Sequence, residues 1–181
     1  MPGEALPSLV AIDEADVGDL GVVRTSMGAA DAELGRSFDD FYRTSWGAMV
    51  RLAHAVVGSG SVAEEIAQEA FLRVHQRWGA LDSPYGFLRT VTMNLCRSHL
   101  RREGVARRKA PSAPRTHLDE PHLDETLALL RRLPFRQRAV LALSYYADLP
   151  DAEIATLLEC KLGTVKSTRH RALARLREEL G

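Results

Sequence analysis

The sequence predicts an all-α fold of two small helical units, and three observations carry that expectation. Apolar residues recur at three-and-four spacing on both sides of the middle of the chain, as one buried helix face requires. No stretch alternates apolar and polar with the period of two that a half-buried strand needs. Between the periodic blocks lies Gly104 to Pro121, with Pro111, Pro114 and Pro121 and little apolar material, which reads as a flexible linker. The chain of 181 residues is 45% hydrophobic and 27% charged, a globular composition that excludes wholesale disorder and collagen-like repeats. No apolar run approaches the ~18 residues of a membrane span. Met1 to Leu34 has no basic leader followed by an apolar core, so no signal peptide is expected. Cys96 and Cys160 are too few for a disulfide framework, and a reducing, cytoplasmic setting is the simplest expectation.

Taken in order, Phe38, Phe41, Tyr42, Met49, Leu52, Ala53 and Val56 mark a first helix over residues 37–57. Ser37 with Asp40 resembles a capping box, and Gly58 is its stop. Ser61 with Glu64 predicts a second box, opening a helix to Trp78 with Val62, Ile66, Ala70, Val74 and Trp78 in one row. After the loop Gly79 to Ser83, Pro84 suits the first turn of a third helix ending near Arg102. In the second block, Leu123, Leu127 and Leu130 mark one helix. Pro134 starts another, and Pro150 a third with Asp151 and Glu153 in its first turn, where the helix dipole favours acids. Ile154, Leu157 and Leu158 are its apolar face. After residues 159–163 a last helix holds Val165, Leu173, Leu176 and Leu180.

Acidic and basic residues balance at 24 each, but the balance hides a segregation. Residues 1–34 hold seven acids against Arg24, and residues 81–118 hold eight Lys or Arg against Asp82 and Glu103. A basic segment inside a neutral chain keeps nucleic acid as a candidate partner. The acidic leader has no sustained periodicity and is expected to be disordered.

The last two helices, joined by a short turn, form a helix-turn-helix pattern. Lys166, Ser167, Arg169, His170 and Arg171 follow the start of its second helix, where phosphate clamps and base-edge donors belong. A solvated basic helix end is the plainer alternative, but here the basic residues begin in the first turn, where the dipole disfavours them. On the third helix Arg89, Met93, Arg97 and Arg101 recur every four residues, with Asn94 beside them and Leu88, Val91, Leu95 and Cys96 opposite. That stripe fits a nucleic-acid backbone plus one base edge, or simply an Arg-rich surface. Trp78 is either a core plug, which its spacing favours, or a ring on which a base stacks. The six histidines have no metal-ligand spacing, and no nucleophile-base set or phosphate-binding loop is present. The residues therefore call for no metal, no cofactor and no enzyme activity in isolation. A dimeric helix-turn-helix regulator stays open as an alternative, as does a nucleic-acid enzyme.

Gln68 to Val74, Phe87 to Asn94, Leu133-Pro134 with Gln137-Arg138, Ala152 to Ala155, Gly163 to Ser167 and Arg171 to Leu176 together resemble bacterial sigma factors of the sigma-70 family. The likeness is to the extracytoplasmic-function type, which has regions 2 and 4 and little else. Arg73 to Trp78 resembles the actinobacterial SigE-like subfamily. The resemblance implies an acidic extension over 1–36, region 2 over 37–103, a linker over 104–121 and region 4 over 122–181. It implies that Glu64, Glu65, Gln68 and Glu69 dock on the clamp helices of the largest subunit of core RNA polymerase, with the polymerase flap as a further contact. Trp78 and the loop Gly79, Ala80, Leu81, Asp82 and Ser83 would receive a base flipped from the −10 element, with Asn94 lining the pocket and Arg97 and Arg101 holding the backbone. Lys166, Ser167, His170 and Arg171 would read the −35 element. Helical spacing by itself assigns base reading chiefly to Ser167, His170 and Arg171, which share a face at i, i+3 and i+4, and phosphate clamping to Lys166 and Arg169 further round. Promoter DNA and core polymerase are the implied partners, and an anti-sigma factor is a further candidate. Pro150 departs from the family pattern, which more often has a hydroxyl residue there.

Overall fold

The computed structural model describes residues 37–109 and 125–180. The acidic leader, most of the linker and Leu123 lie outside the described residues. Within them the chain forms seven α-helices and no strand.

Helix α1, Phe38–Val57, opens as the sequence dictates. Ser37 Oγ accepts from Asp40 N at 3.3 Å and donates to its carboxylate at 2.9 Å, so each residue satisfies the other at the start of the helix. Gly58 ends it in the left-handed region at φ 79°, its N–H donating to His54 O, a conformation that costs a side-chain-bearing residue more. Helix α2, Gly60–Gln76, starts two residues before the expected box. Ser59 takes the N-cap position and accepts the first helical bond from Ala63 N at 2.9 Å. The capping role assigned to Ser61 is therefore corrected: its hydroxyl lies 3.3 Å from that of Ser59 instead. The helix also stops short of Trp78, which begins a single 3-10 turn, Trp78–Ala80.

Helix α3 spans Pro84–Lys109. It passes Arg102 and continues through Gly104 into the segment read as linker. Ser83 Oγ accepts from Gly86 N at its start. In the second block, α4 is Glu125–Arg132, α5 Phe135–Tyr145, α6 Asp151–Leu157 and α7 Leu162–Leu180. Pro134 and Pro150 occupy N-cap positions without a side-chain cap. The turn from α6 to α7 carries Glu159 at φ 51°, so a left-handed residue without glycine's freedom shapes the helix-turn-helix.

The two blocks are not held by the linker alone. One apolar core runs through both. Helix α1 packs on α2 and α3 and also on α4 and α5. Val57, Leu127, Leu130, Leu133 and Leu143 are buried, so the second block is seated on the first through aliphatic side chains. Arg132 on α4 pairs with Glu179 near the end of α7.

Candidate nucleic-acid interface

The recognition helix presents two opposed faces. Val165, Thr168 and Ala172 are buried, and Leu173 and Leu176 are half-buried. At about 100° per residue, Ser167, His170 and Arg171 lie roughly 140–240° round from Val165. They are exposed, as is Lys166 on the flank. Ser167 donates to Thr164 O at 3.1 Å, and Arg171 Nε donates to Ser167 O at 3.2 Å. The three side chains named as base readers thus share one solvent-facing surface in the first turns of α7.

Arg169 does not join them. It sits only ~40° from Val165 on the same wheel, and its guanidinium is engaged inside the protein. Nη2 donates to Ser144 Oγ at 3.0 Å and pairs with the Asp151 carboxylate. Where a phosphate clamp was expected, the structure instead meets its charge with Ser144 on α5 and Asp151 on α6. The inward angle follows from ideal helical geometry alone, whereas Arg is mostly exposed in folded proteins.

The Arg stripe of α3 is also relocated. Met93 is fully buried and Arg89 nearly so, beside buried Leu88, Val91, Thr92 and Cys96. The buried arc of α3 spans ~200°, twice the width of one amphipathic face. The second block supplies the extra cover. Arg89 Nη2 lies 3.6 Å from Glu153 on α6, with its guanidinium over the Tyr85 ring. Arg97 lies over the Phe135 ring of α5, 5.8 Å from its centroid. Met93, one turn from each, is covered with them. The outward face expected for Arg89 and Met93 is an inter-unit seam, whereas Asn94 is half-buried and Arg101 exposed.

Trp78 is half-buried and packs its ring 4.9 Å from Phe41 and 5.4 Å from Phe38. It belongs to an aromatic cluster with Phe71 and His75, as its spacing favoured. Gly79, Ala80 and Asp82 are exposed beside it, and Leu81 and Ser83 half-buried. Ten residues, about 15 Å of helical rise, separate Pro84 from Asn94. Loop and amide are therefore set apart along α3.

On α2, Glu64, Glu65 and Gln68 are exposed, and Glu69 is half-buried and pairs with Arg73 at 2.7 Å. Leu72 is 49% exposed and Tyr42 37%, giving the acidic face an apolar margin that sequence reasoning had not singled out. Cys96 is a buried small hydrophobe: loss of hydration pushes its thiol up from 9.0 to about 12, against lesser opposing effects from Arg138 and a backbone hydrogen bond. It is therefore inert at neutral pH. Among the described residues no group of His, Cys, Asp and Glu could hold a metal ion, and no helix is long and apolar enough to cross a membrane.

Comparison with known proteins matches residues 41–105 to the family model for Sigma-70 region 2 and residues 123–176 to that for Sigma-70, region 4. The chain is 34% identical over 151 residues to the RNA polymerase sigma-E factor of Streptomyces coelicolor, covering 79% of this chain and 85% of that one. It is 36% identical over 151 residues to the sigma-E factor of Streptomyces avermitilis, covering 79% and 84%. Among solved structures, the fold resembles the sigma factor RpoE in complex with the anti-sigma factor NepR from Bartonella quintana. That likeness has a TM-score of 0.65 at 21% identity, covering 79% of this chain and 96% of the other.

Proposed function

Because the chain belongs to the sigma-70 family of RNA polymerase sigma factors, in its extracytoplasmic-function group, we propose a residue-level division of labour for its promoter recognition. The protein binds core RNA polymerase and directs promoter-specific initiation by recognising −35 and −10 elements and helping to open the DNA. It is a DNA-binding initiation factor, and we read it as having no catalytic activity of its own and acting in the cytoplasm.

Helix α7 enters the major groove of the −35 element. The observation that carries this is the exposed trio Ser167, His170 and Arg171 opposite the buried row of α7, with Lys166 exposed on its flank. The trio reads base edges and Lys166 holds a phosphate. Residues 78–83 and Asn94 take the −10 strand, where extrusion of a base costs a few kcal/mol and must be offset by its new contacts. Arg97 and Arg101 hold the backbone there. The exposed carboxylates of α2, with Leu72 and Tyr42 at their margin, dock on the clamp helices of the polymerase largest subunit. Region 4 lies near the flap, and an anti-sigma factor competes for these surfaces.

The closed arrangement cannot engage both elements at once. Their nominal positions differ by about 25 base pairs, or ~85 Å at 3.4 Å each. A folded body of this size has a radius of gyration of about 14 Å. The two units therefore part on promoter DNA, freeing Arg89 from Glu153 and Arg97 from Phe135. The chain between Lys109 and Glu125 spans at most about 55 Å, so the extended helix ends supply the rest of the reach.

The test is transcription with purified core polymerase, plus binding to matched and mutated −35 duplexes at several salt concentrations. Arg171→Ala is expected to cost about 1–3 kcal/mol on the preferred sequence and relax discrimination at one position. Lys166→Ala is expected to weaken all sequences alike and lower the salt slope by about one. Identical behaviour of the two variants would overturn the assignment.

A further inference from the structure

We propose that Arg169 is a positioning residue for −35 recognition: with Asp151 and Ser144 it fixes the angle at which α7 carries its base-reading side chains. The inference rests on the −35 role of α7 given above.

Arg169 occupies an inward position. It continues the row of Val165, Ala172 and Leu176, where packing asks for an apolar side chain. A guanidinium there needs its charge met, and the fold meets it from two other helices. The Asp151 carboxylate, at the first residue of α6, pairs with Nη2, and Ser144 Oγ near the end of α5 accepts from the same nitrogen at 3.0 Å. Ser144 is itself tied back, donating to Val140 O at 2.8 Å. Arg169 and Asp151 side chains are 27% and 21% exposed, so water weakens the pair only partly.

The location gives the contact its consequence. The α6–α7 angle of a helix-turn-helix decides how the second helix sits in the groove. The apolar contacts of Ile154, Leu158 and Val165 hold the two helices together, but such packing is non-directional. Helix α6 has only seven residues and no side-chain cap at Pro150, so its first turn is weakly anchored by its own backbone. A charge-assisted hydrogen bond is directional, and this one ties that turn to the helix bearing Ser167, His170 and Arg171. His170 follows Arg169 directly, and Arg171 lies two residues on. A rotation of α7 about its axis would sweep them across the base edges.

The measurement is the affinity ratio between matched and single-base-mutated −35 duplexes, taken over a salt series with the intact chain. Arg169→Met and Asp151→Asn are each expected to lower that ratio about five- to thirtyfold. The double variant is expected to lose no more than either single one, because both cut the same tie. The salt slope should not change, since no phosphate contact is removed, and Arg169→Lys should recover part of the ratio. A salt slope lowered by about one in Arg169→Met, with Asp151→Asn binding as well as the parent, would overturn the proposal in favour of a phosphate clamp. A fall in unfolding midpoint with the ratio unchanged would overturn it in favour of plain fold stability. Arg171→Ala serves as the control: if it leaves all duplexes unaffected, the −35 role of α7 itself has failed; if it lowers the ratio while Arg169→Met does not, only the positioning role has.

Discussion

Glu153→Gln should shift the molecule toward its open arrangement. Glu153 pairs with Arg89 at 3.6 Å, with side chains 23% and 9% exposed. At that distance Coulomb attraction is about 1 kcal/mol at the dielectric of water and about 5 kcal/mol at an effective value of 20. The burial of Arg89 places the pair nearer the second limit, and the desolvation already incurred by both charges reduces the net worth. Among the described residues Arg89 Nε has no hydrogen-bond partner, so removing Glu153 leaves the guanidinium in the seam against the Tyr85 ring. A loss of about 2 kcal/mol from the closed arrangement follows, roughly a thirtyfold shift toward the open one. Distance distributions between spin labels on exposed positions of α2 and α7 would report the separation directly. Affinity for a short single-stranded −10 oligonucleotide would report its consequence, because apparent affinity scales with the competent fraction. Raising the salt should open the parent protein in the same sense, since the pair is partly screened. Unchanged distances together with unchanged oligonucleotide affinity would refute the idea that this ion pair helps to hold the units together. Gln keeps the side-chain volume, and its loss of first-turn charge at α6, about 0.3–1 kcal/mol, bears on the helix rather than on the separation.

Three further outcomes are expected. Gly58→Ala should destabilise the fold by about 1–3 kcal/mol in urea denaturation, since the new Cβ falls 2.5 Å from Arg131 Nε at a φ of +79°; an unchanged midpoint would contradict that clash. The unfolded Cys96 thiol loses its proton near 9.0 and the folded one near 12, so its contribution is fully present below pH 9 and lost as pH rises from there to 12, at up to ~1.4 kcal/mol per pH unit. Comparing the parent with Cys96→Ala at pH 8 and pH 10 isolates this slope, and parallel behaviour would refute it. Asn94→Ala should impair promoter opening, followed by permanganate reactivity of unpaired thymines, with −35 duplex binding largely intact; normal opening would remove Asn94 from the −10 surface.

The helices were legible because their causes are local. Apolar spacing, the Ser37–Asp40 box, Gly58, Pro134 and Pro150 each act within a turn or two, and each marks an element boundary to within a residue or so. The second capping box failed on the same scale: Ser59 and Ser61 both precede an apolar row, and pattern alone does not choose between two hydroxyls. The exposed trio on α7 was legible for a related reason, since residues three and four apart must share a face whatever surrounds the helix. Sequence by itself therefore determined the all-α class, the helix-turn-helix and the family motifs in their order.

Tertiary structure decided what those faces meet. A helix wheel fixes angles within α3, but not that a second unit covers Arg89 and Met93 beyond the first. That depends on contacts between residues far apart in the chain, such as Arg89 with Glu153 and Arg97 with Phe135, and no local pattern records them. Arg169 shows the same division. Its inward angle follows from ideal helical geometry, yet an inward Arg is stable only where something distant answers its charge. Asp151 and Ser144, 18 and 25 residues away, do so because α5, α6 and α7 pack as they do. Periodicity says which side chains travel together, and only the assembled helices say whether they arrive at solvent, at DNA or at one another.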